Sequence, residues 1–268
     1  MGKGTKYVAK LPGEDGLIRY SDEEHQVWKE LITRQKRALP GRACREYIEA
    51  LDKLELPEDR IPQCRDVGRV LRDCTGWDVV PVPALINFTD FFHLLGAKKF
   101  PAASFIRSRE EMEYLQEPDI FHEIFGHTPL LTDPRFAAFT HAYGRAGAAA
   151  RKEDRPMLAR LYWFTVEFGL IRRPDEGLRT YGAGIVSSIG ETQYALHDDA
   201  PLRKPFDPVD ALRTPYRIDI FQPIYFVIES FDTLFEVAQM DLLALIDEAR
   251  RLGMHAPAYP PKEAAVGV

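Results

Sequence analysis

The segment Pro118-Asp119-Ile120-Phe121-His122-Glu123-Ile124-Phe125-Gly126-His127-Thr128-Pro129-Leu130-Leu131 sets two histidines among large apolar side chains. It predicts a helix over about 119–131, with Asp119 available as its N-cap. A buried imidazole needs hydrogen-bond partners or a metal. Five residues of α-helix turn the chain by about 500°, which puts His122 and His127 about 140° apart. Ligands of one ion must converge; i,i+4 spacing does this readily and i,i+5 does not. Gly126 allows the helix to relax, and the reach of the imidazoles covers the remainder. Taken alone, the segment fits two unrelated core histidines equally well.

A second segment, Leu161-Tyr162-Trp163-Phe164-Thr165-Val166-Glu167-Phe168-Gly169-Leu170, holds one carboxylate in an aromatic and apolar run. An ionised, unpaired carboxylate buried there costs several kcal/mol. Glu167 therefore meets a cation or faces outward, and an ion pair with one of the 35 Lys and Arg residues is open to it. Two neutral imidazoles and one carboxylate also compose the facial triad of non-haem Fe(II) oxygenases. Zinc accepts the same ligands. Asp119 is placed either to accept an N–H from a ligating imidazole or to cap its own helix. Glu123 reads as a helix-surface acid or as a group facing the cavity.

Around these segments the chain reads as mainly α with a small β component, in one domain. Residues 1–20 form an irregular arm, and Ser21-x-x-Glu24 opens a helix through Val27, Trp28, Leu31 and Ile32. Further helices are expected around Tyr47–Leu51, from about 62 to 75, near 90–95, after the Ser108-x-x-Glu111 box, over 134–149 and over 154–171. Asp78 to Ile86 contains Pro81 and Pro83 and reads as an extended loop. Residues 216–227 read as two short strands broken at Pro223, and 231–252 as one long helix. The tail, 253–268, reads as frayed.

Composition narrows the function. The 268 residues are 45% hydrophobic and 28% charged, with a net charge of −6. A pI of about 5.7 disfavours nucleic acid and anionic membrane surfaces as partners. No segment has the roughly 20 apolar residues of a membrane span, and the N-terminus lacks a signal-peptide core. Cys44, Cys64 and Cys74 form no CxxC pair, which argues against a disulfide framework or a thiolate zinc site. Cys64 and Cys74 share a helical pattern and are expected to be buried thiols. A reducing cytoplasm is the expected location.

Pro118-Asp119-x-x-His122-Glu123-x-x-Gly126-His127-x-Pro129-Leu130 resembles the iron-binding signature of the pterin-dependent aromatic amino acid hydroxylases. Tyr162-Trp163-Phe164-Thr165-Val166-Glu167-Phe168-Gly169 resembles their third-ligand segment, 45 residues beyond the first histidine. Tyr181-Gly182-Ala183-Gly184 with Ser187-Ser188, and Phe221-Gln222-Pro223 with Glu229-Ser230-Phe231, extend the likeness over roughly 20–240. The resemblance implies a single basket-like catalytic domain with Fe(II) on His122, His127 and Glu167. It implies a tetrahydropterin co-substrate met by Phe91, Leu85, Ile86 and Glu123. It implies a substrate site of Arg107, Pro118, Trp163, Ser187 and Ile218, with Asp119 and Tyr162 close to the metal. Trp163, where tryptophan hydroxylases tend to carry Phe, disfavours indole. Ile218, where tyrosine hydroxylases carry an acid, suits a ring without a hydroxyl. L-Phenylalanine oxidised by O₂ to L-tyrosine is therefore expected, with tyrosine or tryptophan hydroxylation as alternatives. The chain has no room for the family's regulatory domain or tetramerisation helix, so a monomer is expected. A zinc hydrolase using Glu123 as base would need neither the pterin-site aromatic nor Ser187, and it lacks HExxH spacing. A non-enzymatic helical module would leave Glu167 unexplained.

Overall fold

Ser21 opens the first helix, Asp22–Ala38, through a reciprocal capping box: its hydroxyl accepts from the Glu24 amide, and the Glu24 carboxylate accepts from its own. Helices Arg45–Leu54 and Cys64–Thr75 follow, each ending on a residue with positive φ, Glu55 and Gly76. The computed structural model describes residues 7–83, 86–113, 115 and 117–260. Further helices span Phe88–Gly96, Pro134–Ala149, Arg155–Tyr162, Ile189–His197, Phe231–Gln239 and Leu242–Leu252, with shorter turns between them. Two small sheets complete the fold. β1 (Asp78–Val82) pairs in parallel with β2 (Lys99–Ala103). β3 (Leu170–Arg173), β4 (Gly177–Thr180), β5 (Leu202–Pro205) and β6 (Ile224–Ile228) form a sheet in the order β4-β3-β6-β5. The fold is mainly α with a small β component, as its sequence predicts.

The core packs where the two decisive segments cross it. Phe121 and Phe125 stack at 4.9 Å, Trp28 meets Phe121 edge-on at 5.5 Å, and Tyr47 meets Phe125 at 6.2 Å. The apolar face of the histidine segment is thus clamped by the first two helices, so its opposite face is set in one direction.

Several local expectations differ from the structure. Residues 78–82 are a strand despite Pro81, because among the described residues β1 pairs with β2 alone and the proline's missing N–H costs nothing at a sheet edge. The Ser108 box caps a single 3₁₀ turn, Arg109–Glu111, rather than a helix. Residues 216–223 form no strand; only Ile224–Ile228 pairs. The long C-terminal helix is two, since the Asp241 carboxylate accepts the Leu243 and Ala244 amides and starts a new one. Residues 154–171 divide into a helix, a π-turn and β3. Cys74 is exposed, whereas Cys44 and Cys64 are buried. Of the expected frayed tail, residues 253–260 are docked, with the His255 amide donating to the Arg213 carbonyl and the Tyr259 hydroxyl to that of Tyr216, while 261–268 lie outside the described residues. No helix among the described residues is long and apolar enough to cross a membrane.

Candidate metal centre

The spacing conflict at His122 and His127 is resolved by the backbone. Residues His122–His127 form a π-helical turn, and Trp163–Glu167 form another. Hydrogen bonds from i to i+5 stack residues five apart over one another, so both histidines share a face. Side chains hold the widened turn in place. The Tyr47 hydroxyl donates to the Phe125 carbonyl at 2.5 Å, and the Thr128 hydroxyl to the Ile124 carbonyl at 2.7 Å. Behind the second turn, Gly182 passes so close that a Cβ there would stand 2.3 Å from the Glu167 carbonyl oxygen. No other residue fits that approach.

Three donor groups meet as a result. His122 Nε2 and His127 Nε2 are 3.1 Å apart. Glu167 Oε2 lies 3.5 Å from the first and Oε1 3.2 Å from the second. Ligands about 2.1 Å from one ion and at right angles to each other lie about 3.0 Å apart, so the triangle fits one face of a metal. Tautomers agree with this. The Ser187 hydroxyl donates to the Ala183 carbonyl at 2.7 Å, which leaves its oxygen to accept the His122 Nδ1–H at 2.9 Å. His122 Nε2 is then a bare electron pair directed at the other two donors. A metal is the partner that satisfies all three. Glu123 also offers an oxygen within 4.8 Å of the imidazole nitrogens, but Glu167 comes closer and bridges both.

Charge follows this geometry. Burial pulls the Glu167 carboxyl upward, but the adjacent imidazoles outweigh it and hold the group well below the usual carboxylate range. Burial depresses His127; at His122 the same burial is outweighed by Glu167, which draws the imidazole up. Burial pushes Glu123 up to about 8.

Asp119 takes the capping role and does not meet an imidazole. Its carboxylate accepts the His122 backbone amide at 3.1 Å, and the Arg107 amide, Nε and Nη2 at 3.0, 2.8 and 2.9 Å. Burial opposes charge in both partners, and their mutual attraction prevails: Asp119 is drawn down and Arg107 up. A cavity of about 830 Å³ opens beside the donors, with His122, Glu167, Arg107, Pro118, Trp163, Ser187 and Ile218 in its walls. All five substrate residues implied by the resemblance thus share one space with two of the ligands. Ile218 is 54% exposed, which sets it at the rim.

Phe91, Ile86 and Glu123 stand outside that lining, and Leu85 lies outside the described residues. Phe91 meets Tyr162 edge-on at 5.5 Å, and Tyr162 stacks on His127 at 6.1 Å. Phe91 and Tyr162 thus reach the donors from the His127 side. Sequence reading assigned no role to Glu191, Gln222 or Tyr225. In the structure Ser188 caps the helix Ile189–His197, and its hydroxyl accepts the Glu191 amide. The Glu191 carboxyl turns inward, accepting from the Tyr225 hydroxyl and the Gln222 amide, and burial pushes it up to about 7.

Residues 6–243 match the family described as biopterin-dependent aromatic amino acid hydroxylase. A phenylalanine-4-hydroxylase of Pseudomonas aeruginosa is 57% identical over 98% of this chain and all of its own. The cold-active phenylalanine hydroxylase of Colwellia psychrerythraea 34H superposes with a TM-score of 0.93 at 56% identity, over 97% of this chain and all of that one. A Chromobacterium violaceum phenylalanine hydroxylase solved with bound oxidised Fe(III) gives 0.86 at 45% identity, over 92% of this chain and 89% of that one. With its two histidines and one glutamate brought into a metal-sized triangle, this chain belongs to the biopterin-dependent aromatic amino acid hydroxylases.

Proposed function

We propose that this protein hydroxylates L-phenylalanine to L-tyrosine, using O₂, Fe(II) and a tetrahydropterin. The observation that carries the reading is the convergence of His122 Nε2, His127 Nε2 and Glu167 in the wall of a cavity that also holds Arg107. When bound, iron and the reduced pterin supply the activation of O₂ and two electrons. The chain's own residues do the remainder. Asp119 grips Nε and Nη2 of Arg107, so the guanidinium plane is presented to a substrate carboxylate in one orientation. Ser187 fixes the His122 tautomer. Trp163 and Pro118 offer apolar walls for a ring, and Ile218 offers no partner for a ring hydroxyl, which favours phenylalanine over tyrosine. Phe91, Ile86 and Glu123 would meet the pterin, with Phe91 reaching the His127 side of the donors through Tyr162. A single catalytic domain acting as a monomer in the cytoplasm belongs to the same reading.

Purified protein with Fe(II), reduced pterin, O₂ and phenylalanine is expected to form tyrosine. Replacing Fe(II) by Zn(II), or omitting pterin, is expected to stop it. Hydrolase activity with zinc and no pterin would select the competing chemistry.

A further inference from the structure

The indole of Trp163 is held on three sides. Tyr216 stacks on it at 4.3 Å and 16°, and Phe168 packs at 4.4 Å, tilted by 35°. Its Nε1–H donates to Gln222 Oε1 at 2.9 Å. An indole nitrogen is a donor only, so Gln222 must present its carbonyl oxygen there, and its amide orientation follows from the network. The amide nitrogen then donates to the carbonyls of Arg217 at 2.9 Å and Ile220 at 3.0 Å. The backbone amide of Gln222 donates to Glu191 at 3.3 Å, and the Tyr225 hydroxyl donates to the same oxygen. Gln222 is 1% exposed. One buried side chain therefore ties the aromatic wall of the cavity to the 217–221 loop. That loop brings Ile218, Asp219, Ile220 and Phe221 to the same cavity.

We propose that Gln222 is a positioning residue for the substrate ring. Its amide sets the separation between Trp163 and the 217–221 loop, and so the width of the gap that admits phenyl and resists the larger indole. The proposal rests on the phenylalanine hydroxylase reading above. Loss of the amide leaves one partly buried indole N–H and two loop carbonyls without their shared partner. The ring wall and the loop are then free to shift independently. No hydrogen bond links Gln222 to His122, His127 or Glu167, so the effect falls on ring binding rather than on the metal.

The test is steady-state kinetics with phenylalanine and tryptophan at saturating Fe(II) and reduced pterin, in a double-mutant cycle of Gln222→Leu and Trp163→Phe. Gln222→Leu is expected to raise the phenylalanine KM about tenfold, to change kcat by less than about twofold, and to narrow the preference for phenylalanine over tryptophan about tenfold. In the Trp163→Phe background, which has no indole N–H, the same change should raise KM by less than about twofold. Gln222→Asn, too short to reach all its partners, covers the case in which Gln222→Leu does not fold; it should give about a threefold rise in KM. An equal rise in both backgrounds, a fall in kcat alone, or an unchanged KM and preference would overturn the proposal. Exchange of the Trp163 indole proton, followed by ¹⁵N NMR, is independent of the reaction. It should be slow in the parent and fast in either Gln222 variant. Unchanged exchange overturns the proposal, whereas a parent that forms no tyrosine contradicts the assigned reaction instead.

Discussion

At the scale of single residues, the centre depends on charges that are buried only because they are paired. Arg107 and Asp119 are the clearest case, and removing one leaves the other stranded. Asp119→Ala is expected to cost about 3–5 kcal/mol in denaturant unfolding, far more than loss of a surface pair. Arg107→Lys keeps the charge but loses the planar fork, and should raise the phenylalanine KM while leaving kcat nearly unchanged. An unchanged KM would remove Arg107 from the substrate site. Glu191 gives a prediction in pH. Burial lifts its folded pKa from the ordinary 4.5 to about 7. The folded state thus favours the protonated acid, and the stability this supplies, complete below about pH 4.5, is lost as pH rises through 7. Glu191→Gln keeps the acceptor for Tyr225 without the charge. It should be more stable than the parent at pH 8 by ~2 kcal/mol, and the advantage should vanish near pH 4.5. A constant difference across that range would show that Glu191 does not titrate there. The ligands were legible in sequence because a carboxylate and two imidazoles in apolar runs demand partners. Glu191 was not, because its partners Gln222 and Tyr225 lie more than thirty residues away in sequence and local pattern carries no sign of them.

At the scale of elements, two π-turns convert distant sequence positions into one donor set. Their presence was not legible: periodicity arguments assume 3.6 residues per turn, and the extra residue is held by tertiary contacts such as Tyr47 on the Phe125 carbonyl. The spacing of His122 and His127 did show that an ordinary helix was insufficient. The strand at Pro81 and the break at Asp241 were missed for a related reason, since sheet-edge position and a competing cap are decided by neighbours. The second π-turn is backed by Gly182, where any Cβ would enter the backbone of Glu167. Gly182→Ala should therefore destabilise the fold by about 2 kcal/mol or more and lower iron occupancy disproportionately. Calorimetry together with metal analysis checks this. Full iron content at parental stability would mean that the close approach plays no part in placing the ligand.

At the scale of the whole molecule, the C-terminal tail closes onto the segment that builds the cavity wall. Tyr259 bonds the carbonyl of Tyr216, whose ring backs Trp163, and Arg217 reaches the Pro260 carbonyl. Composition suggested fraying because proline and alanine carry no helical signal, while the docking contacts come from chain far upstream. Deleting residues 253–268 should lower Tm by about 3–6 °C and raise the phenylalanine KM. A truncated chain with parental values of both would return the tail to the role of a loose end. Light scattering should give a monomer near 30.6 kDa, and a stable tetramer would refute that reading. All of these depend on one ion joining the two segments. The direct measurement is a crystal structure of the Fe(II)-loaded protein with anomalous data at the iron edge. The predicted result is a single strong peak about 2.1 Å from His122 Nε2, His127 Nε2 and a Glu167 oxygen. A peak bound by Glu123 in place of Glu167, or no iron between the histidines, would contradict it.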